Sequence, residues 1–188
     1  MTLAQECLIA LGGNLPTDQG GPQVTLRAAL ARLADHGVTV TATSRFYETP
    51  CFPVGAGPDY VNAAACLRFD GIASDILGVL HEVEAEFGRE REQRWGRRTL
   101  DLDLIAVGDT VLPDASTQAH WRDLPVDRQV REAPGELILP HPRLQDRAFV
   151  LVPLNDIAPD WVHPLLQQSV AQMLARLPED DVRCVRAL

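Results

Sequence analysis

Apolar residues in this chain switch between two periods, and the order of the switching restricts the folds open to it. ECLIALGGN, residues 6–14, is a short apolar run that ends in a Gly-Gly turn, the pattern of a buried strand. Leu26, Ala29, Leu30 and Leu33 then recur at helical spacing, with His36 and Gly37 as the stop. Residues 38–48, VTVTATSRFYE, alternate and are rich in β-branched and aromatic side chains, which predicts one long strand ending before Pro50. TPCFPVGAGPD must be a loop, and YVNAAACLRF reads as a strand that pairs with its predecessor across it. Ile76, Leu77, Leu80, Val83 and Phe87 share one helical face, with Ser74 or Asp75 near the start and Gly88 as the stop. GREREQRWGRR is an arginine-dense loop, and TLDLDLIAVGD is a strand followed by a turn.

The resulting order, βαββαβ, predicts an α+β fold of the ferredoxin-like type, with two helices on one face of a four-stranded antiparallel sheet. Residues 113–136 are polar, carry three prolines and read as an inserted surface excursion. Residues 147–157 and 167–177 are expected to be further helices, making the C-terminal third an addition to the same core. At 188 residues the chain is expected to form a single domain over 1–188.

Charge narrows the functions. With 46% hydrophobic and 23% charged residues the chain can bury a core, and its net charge of −9 argues against non-specific binding to nucleic acid or to an anionic membrane. All 17 basic residues are arginine, so neither a lysine-bearing phosphate loop nor a Schiff-base lysine exists. The first residues lack the pattern of a signal peptide or a membrane span, and a cytoplasmic location is expected. Cys7, Cys51, Cys66 and Cys184 form no CxxC pair and are read as reduced, mostly buried thiols.

The chemistry concentrates in RRTLDLDLI, residues 97–105. In a strand, residues i and i+2 share a face, so Asp101 and Asp103 project together while Leu100, Leu102 and Leu104 face the helices. Adjacent carboxylates repel unless a cation sits between them, and magnesium suits such a pair because it takes one or two carboxylates plus water and phosphate oxygens. A plainly solvated strand face would give the same pattern. Arg89, Arg91, Arg94, Arg97 and Arg98 crowd the loop leading into the strand, and guanidinium groups pair with phosphate in two-pronged fashion. Glu90 and Glu92 would occupy one or two of these arginines, but not five. Together these features describe a site for a metal–polyphosphate complex.

RWGRRTLDLDLI resembles the signature of the 6-hydroxymethyl-7,8-dihydropterin pyrophosphokinase family. IALGGNL, FYETP, PDYVNAA and LPHPRLQDRAFVLVPLNDIAP resemble further segments of that family in the same order, covering most of the chain apart from 113–136. The resemblance implies transfer of pyrophosphate from ATP to 6-hydroxymethyl-7,8-dihydropterin in folate biosynthesis, with two magnesium ions. It further implies that Asp101 and Asp103 hold the metals, and that Arg89, Arg91 and Arg98 act on the phosphates. ATP contacts fall on Leu77, Arg91, Trp95, Arg98, Leu104, His141 and Arg147. Pterin contacts fall on Thr49, Pro50, Phe52, Tyr60, Asn62, Trp95 and Phe149, with Tyr60 and Phe149 stacking on the ring and Asn62 reading its edge. The implied partners are these small molecules, with no nucleic acid or membrane, and the chain is expected to be a monomer. Arg97 stands where the family commonly has proline, and Gly13 where it has serine.

Residue chemistry alone leaves other readings open. Tyr60 and Phe149 could be core aromatics, and Asn62 a turn or edge residue. A magnesium-dependent nucleotidyl- or glycosyltransferase also uses a DxD strand. A ferredoxin-like RNA-binding module is the non-enzymatic rival, and the acidic balance and LDLDL strand oppose it. No side chain is singled out as a general base.

Overall fold

The computed structural model describes residues 4–18, 20–51, 57–88, 99–129 and 131–188. The elements run β1 (Gln5–Gly13), α1 (Pro22–Arg32), β2 (Thr39–Thr43), β3 (Tyr47–Thr49), β4 (Tyr60–Phe69), α2 (Ala73–Glu86) and β5 (Asp101–Val107). They continue with α3 (Ala115–Arg122), α4 (Val126–Gln129), α5 (Ala148–Ile157), α6 (Val170–Leu174), α7 (Glu179–Arg183) and β6 (Arg186–Ala187). The strands lie in the order β5-β1-β4-β3-β6, with β2 also paired to β4, and every pairing is antiparallel. Up to β5 the order is the expected βαββαβ with its second strand divided into β2 and β3.

Local rules account for the helices. Pro22 opens α1, where its missing N–H costs nothing, and Gly37 ends the following turn in the left-handed region at φ 75. α2 starts at Ala73 with Ile72 as its N-cap, so Ser74 and Asp75 both fall in its first turn. The Asp75 carboxylate accepts the Ile72 N–H at 3.2 Å, and Ile76, Leu80 and Val83 face inward.

The long strand expected over 38–48 is two strands. At Ser44 the side chain enters the ladder, with its hydroxyl accepting the Ala64 N–H at 2.9 Å while its own N–H donates to the Ala64 carbonyl. The break lets Phe46 sink under α1 and Tyr47 pack on the opposite side of the sheet.

That opposite side is the larger departure. One apolar cluster joins Ile9, Leu11, Ala63, Leu67, Leu102 and Leu104 to α1 and α2. A second joins Leu8, Ala10, Ala64 and Ile105 to Val150, Leu151 and Leu154 of α5 and to Val170 and Met173 of α6. Helices thus cover both faces, and the C-terminal third is a full layer. Of the helix expected over 167–177, only 170–174 is α-helical.

The excursion at 113–136 contains α3 and α4 and is docked. Asp114 caps α3 by accepting the Thr117 N–H at 2.9 Å, Gln118 is fully buried with Nε2 donating to the Pro140 carbonyl at 3.1 Å, and Leu124 is buried. Its polar composition concealed these anchors.

Candidate active site

One transverse row of the sheet organises the site. Asp101 of β5 pairs with Gly12 of β1, Gly12 pairs with Asn62 of β4, and Asn62 pairs with Tyr47 of β3. Asp103 pairs with Ala10 two residues further along. These residues belong to the face that α5 covers further along. At adjacent-strand spacings of about 4.8 Å, Asp101 and Asn62 stand roughly 10 Å apart. The floor between them is bare because Gly12 has no side chain, and a Cβ added there would lie 3.1 Å from Asn62 Oδ1.

The Asn62 amide has a fixed orientation. Its Nδ2 donates to the Thr49 hydroxyl at 2.7 Å in a buried bond, which turns Oδ1 toward Gly12. Tyr60 lies two residues before Asn62 on the same face and pairs with Thr49. The nearby loop is closed at its base by the Asp59 carboxylate, which accepts the Cys51 N–H at 3.2 Å, and by Asn14, which donates to the Pro58 carbonyl at 3.2 Å. Pro50 is half-buried beside Thr49. Phe149, at the start of α5, is 39% exposed, an unusual position for a phenylalanine that only packs, and the Arg147 guanidinium lies 5.6 Å from its ring.

His141 lies within electrostatic reach of both Asp101 and Arg147. The His141 N–H donates to the Ile105 carbonyl at 2.8 Å, which seats the segment along β5. Its Nδ1 accepts the Arg143 N–H at 3.1 Å, so Nε2 carries the ring proton. Burial pushes the imidazole down to about 3, with Arg147 and Arg143 adding to the effect and Asp101 opposing it. The ring is therefore a neutral donor near Asp101 and Arg147.

β5 itself is an edge strand, and α2 supplies what the edge lacks. Glu84, 1% exposed, accepts the Leu102 N–H through Oε1 at 2.7 Å, between the two aspartates. Sequence reasoning passed over Glu84. The available signal was an acid four residues after Leu80, inside the apolar stripe of α2.

Leu77 and Leu104 are not brought together with the carboxylates. Leu104 is 4% exposed in the cluster under α1 and α2, and Leu77 packs against that cluster, so both lie across β5 from Asp101 and Asp103. A ligand could touch both sets only by lying along the β5 edge. Phe52, Arg89, Arg91, Trp95 and Arg98 lie outside the described residues. The donor chemistry fits magnesium, which takes one or two carboxylates and leaves its other positions to water and phosphate. Among the described residues no cluster of three or more His, Cys, Asp or Glu side chains could hold a metal. Likewise no described helix is long and apolar enough to cross a membrane.

Comparison with known proteins finds relatives over most of the chain. A 2-amino-4-hydroxy-6-hydroxymethyldihydropteridine pyrophosphokinase of Synechocystis sp. is 37% identical over 178 residues, covering 92% of this chain and 78% of that one. The Pseudomonas aeruginosa protein of the same name is 35% identical over 180 residues, covering 96% of each. Among solved structures, wild-type Plasmodium falciparum HPPK-DHPS superposes with a TM-score of 0.64 at 13% identity, over 94% of this chain. At that identity the likeness speaks for the fold, and this chain spans 45% of the length of that one. The family model for 7,8-dihydro-6-hydroxymethylpterin-pyrophosphokinase matches residues 8–159, and the chain belongs to that family.

Proposed function

We propose that the chain transfers pyrophosphate from ATP to 6-hydroxymethyl-7,8-dihydropterin, giving AMP and the pterin diphosphate, a reading supported by relatives named as pyrophosphokinases of this pteridine. The observation that carries this reading is the row Asp101–Gly12–Asn62. It sets a carboxylate suited to a metal–phosphate complex and an amide suited to a heterocycle edge on one face, with a side-chain-free strand between them. A flat, nitrogen-rich ring is best held by stacking on its faces and by hydrogen bonds at its edge. Tyr60 and Phe149 would supply the stacking, and Asn62 the edge contact, with Thr49 and Pro50 bordering it.

Asp101 and Asp103 would hold two magnesium ions, which when bound neutralise the triphosphate oxygens. His141 donates as a neutral group and Arg147 as a charged one, and both serve to bind and orient the nucleotide. Arg89, Arg91, Arg98 and Trp95 are assigned to the same end through the family signature. Leu77 and Leu104 would border the adenine along the β5 edge. In the reaction the pterin hydroxymethyl oxygen attacks the β-phosphorus in line, the bond to the bridging oxygen of AMP breaks, and the hydroxyl proton leaves to solvent. The protein contributes position and charge and no covalent step.

Incubation with ATP, magnesium and 6-hydroxymethyl-7,8-dihydropterin should yield AMP and the pterin diphosphate in equal amounts by anion-exchange chromatography. Release of pyrophosphate or a nucleoside diphosphate instead would mark a different transferase.

A further inference from the structure

β3 and α5 are joined by a hydrogen-bonded clamp of side chains that are themselves assigned to no substrate. The Tyr47 hydroxyl donates to Asp156 Oδ2 at 2.7 Å. Arg45 donates to the same carboxylate three times, from its backbone N–H at 3.2 Å, from Nε at 3.1 Å and from a terminal nitrogen to Oδ1 at 2.8 Å. The Arg45 guanidinium also lies 5.4 Å from the Tyr47 ring. Tyr47 is 3% exposed, and the Asp156 side chain 18%. Burial pushes the Tyr47 hydroxyl up to about 12, and the bond to Asp156 adds to the effect, so the phenol remains a donor at neutral pH. Burial would raise the Asp156 carboxyl, but the bonds from Arg45 and Tyr47 overcome it and hold the group below its ordinary value.

The location of the clamp gives it a use. Tyr47 is the register partner of Asn62, and two residues on, Thr49 holds the Asn62 amide. At the other end, Asp156 lies seven residues after Phe149 in α5, two helical turns along the same side. One strand of three residues thus carries the clamp and the group that orients Asn62, while one helix carries the clamp and Phe149. The Tyr47–Asp156 bond ties α5 to β3 beside the apolar packing of Val150, Leu151 and Leu154 on the sheet, next to the gap where a ring would stack between Tyr60 and Phe149.

We infer that Tyr47 and Asp156 are positioning residues for the pterin, fixing the width of its slot by tying α5 to β3. The inference rests on the pterin assignment above.

The test is calorimetric titration of the full chain with 6-hydroxymethyl-7,8-dihydropterin in the presence of magnesium and a non-hydrolysable ATP analogue. The variants are Tyr47→Phe, Asp156→Ala, Asn62→Ala and Phe149→Ala, and nucleotide affinity and thermal midpoint are measured alongside. Tyr47→Phe removes one oxygen and should weaken pterin binding by up to about tenfold, the scale of one lost hydrogen bond. Nucleotide affinity should stay within about twofold, and combining Tyr47→Phe with Asp156→Ala should cost less than the sum of the two singles, as expected for groups acting as one unit. If Asp156→Ala does not fold, Tyr47→Phe decides the matter alone. Loss of pterin affinity in Asn62→Ala and Phe149→Ala with none in Tyr47→Phe would overturn the clamp and leave the pocket standing. Unchanged affinity in all four would overturn both. Equal weakening of pterin and nucleotide in Tyr47→Phe would reduce the clamp to general packing and also overturn it.

Discussion

Asn62 stands across a single glycine from Asp101, since Gly12 of β1 pairs with both. The separation is one strand in each direction, and Asn62 Oδ1 leans over the space a Gly12 side chain would fill. Gly12 is therefore constrained by what passes over it, because the strand could accept another residue for its backbone alone. Gly12→Ala should push the Asn62 amide off its bond to Thr49. The expected result is a pterin affinity lower by about tenfold, equivalent to about 1.4 kcal/mol, with far less change for the nucleotide. Calorimetry with each ligand separates the two effects.

Asp101→Ala and Asp103→Ala should each lower kcat by at least about 10²–10³-fold, the loss typical of removing a group that stabilises transition-state charge. Each change deletes a metal ligand but relieves repulsion between neighbouring carboxylates, so the fold should persist. Thermal unfolding monitored by circular dichroism checks the second point. Near-normal turnover at saturating magnesium would show that the strand pair does not hold the metal.

Glu84 separates its structural contribution from its charge. Glu84→Ala leaves the Leu102 N–H buried without its acceptor, at a cost of about 1–3 kcal/mol, and loosens β5 between Asp101 and Asp103. Glu84→Gln keeps an oxygen acceptor at the same place. Urea unfolding should therefore show a clear loss for the alanine and a small one for the glutamine, with kcat following the same order.

These residues show how far the sequence could be read. The alternation in LDLDL places Asp101 and Asp103 on one face, and the same rule joins Tyr60 to Asn62, because strand period alone decides facing. The two-sided burial of the sheet was also written in β1, where Cys7, Leu8, Ile9, Ala10 and Leu11 are apolar without alternation, as in strands covered on both faces. Other features depend on single atoms and leave no period. Ser44 interrupts a strand through one hydroxyl, and Gln118 anchors α3 through one amide. Glu84 looks like a solvated helix acid until the β5 edge is seen to need an acceptor.

His163 gives the fold a defined acid sensitivity. It is fully buried in the turn after α5, where Nδ1 accepts the Leu165 and Leu166 N–H groups, each at 3.2 Å, and the ring meets Trp161 edge-on at 5.9 Å. Nε2 has no hydrogen-bond partner among the described residues. Burial pushes the ring down to about 4 from an ordinary value of 6.5, and the charge of Arg122 adds to the effect. Because the folded value lies below the unfolded one, the folded chain resists a proton that the unfolded chain accepts. The contribution is fully present above about pH 6.5 and is lost as pH falls toward 4, amounting to roughly 3 kcal/mol at most. His163→Asn keeps a side-chain oxygen able to accept the two N–H groups but cannot titrate. The variant should be less stable than the parent at pH 7, because it fills the site poorly, and the difference should shrink as pH falls from 7 to 4. Urea unfolding of both proteins across that interval measures the difference directly, with the carboxylates common to both cancelling. A gap that stays constant with pH would mean that His163 keeps its ordinary proton affinity despite its burial.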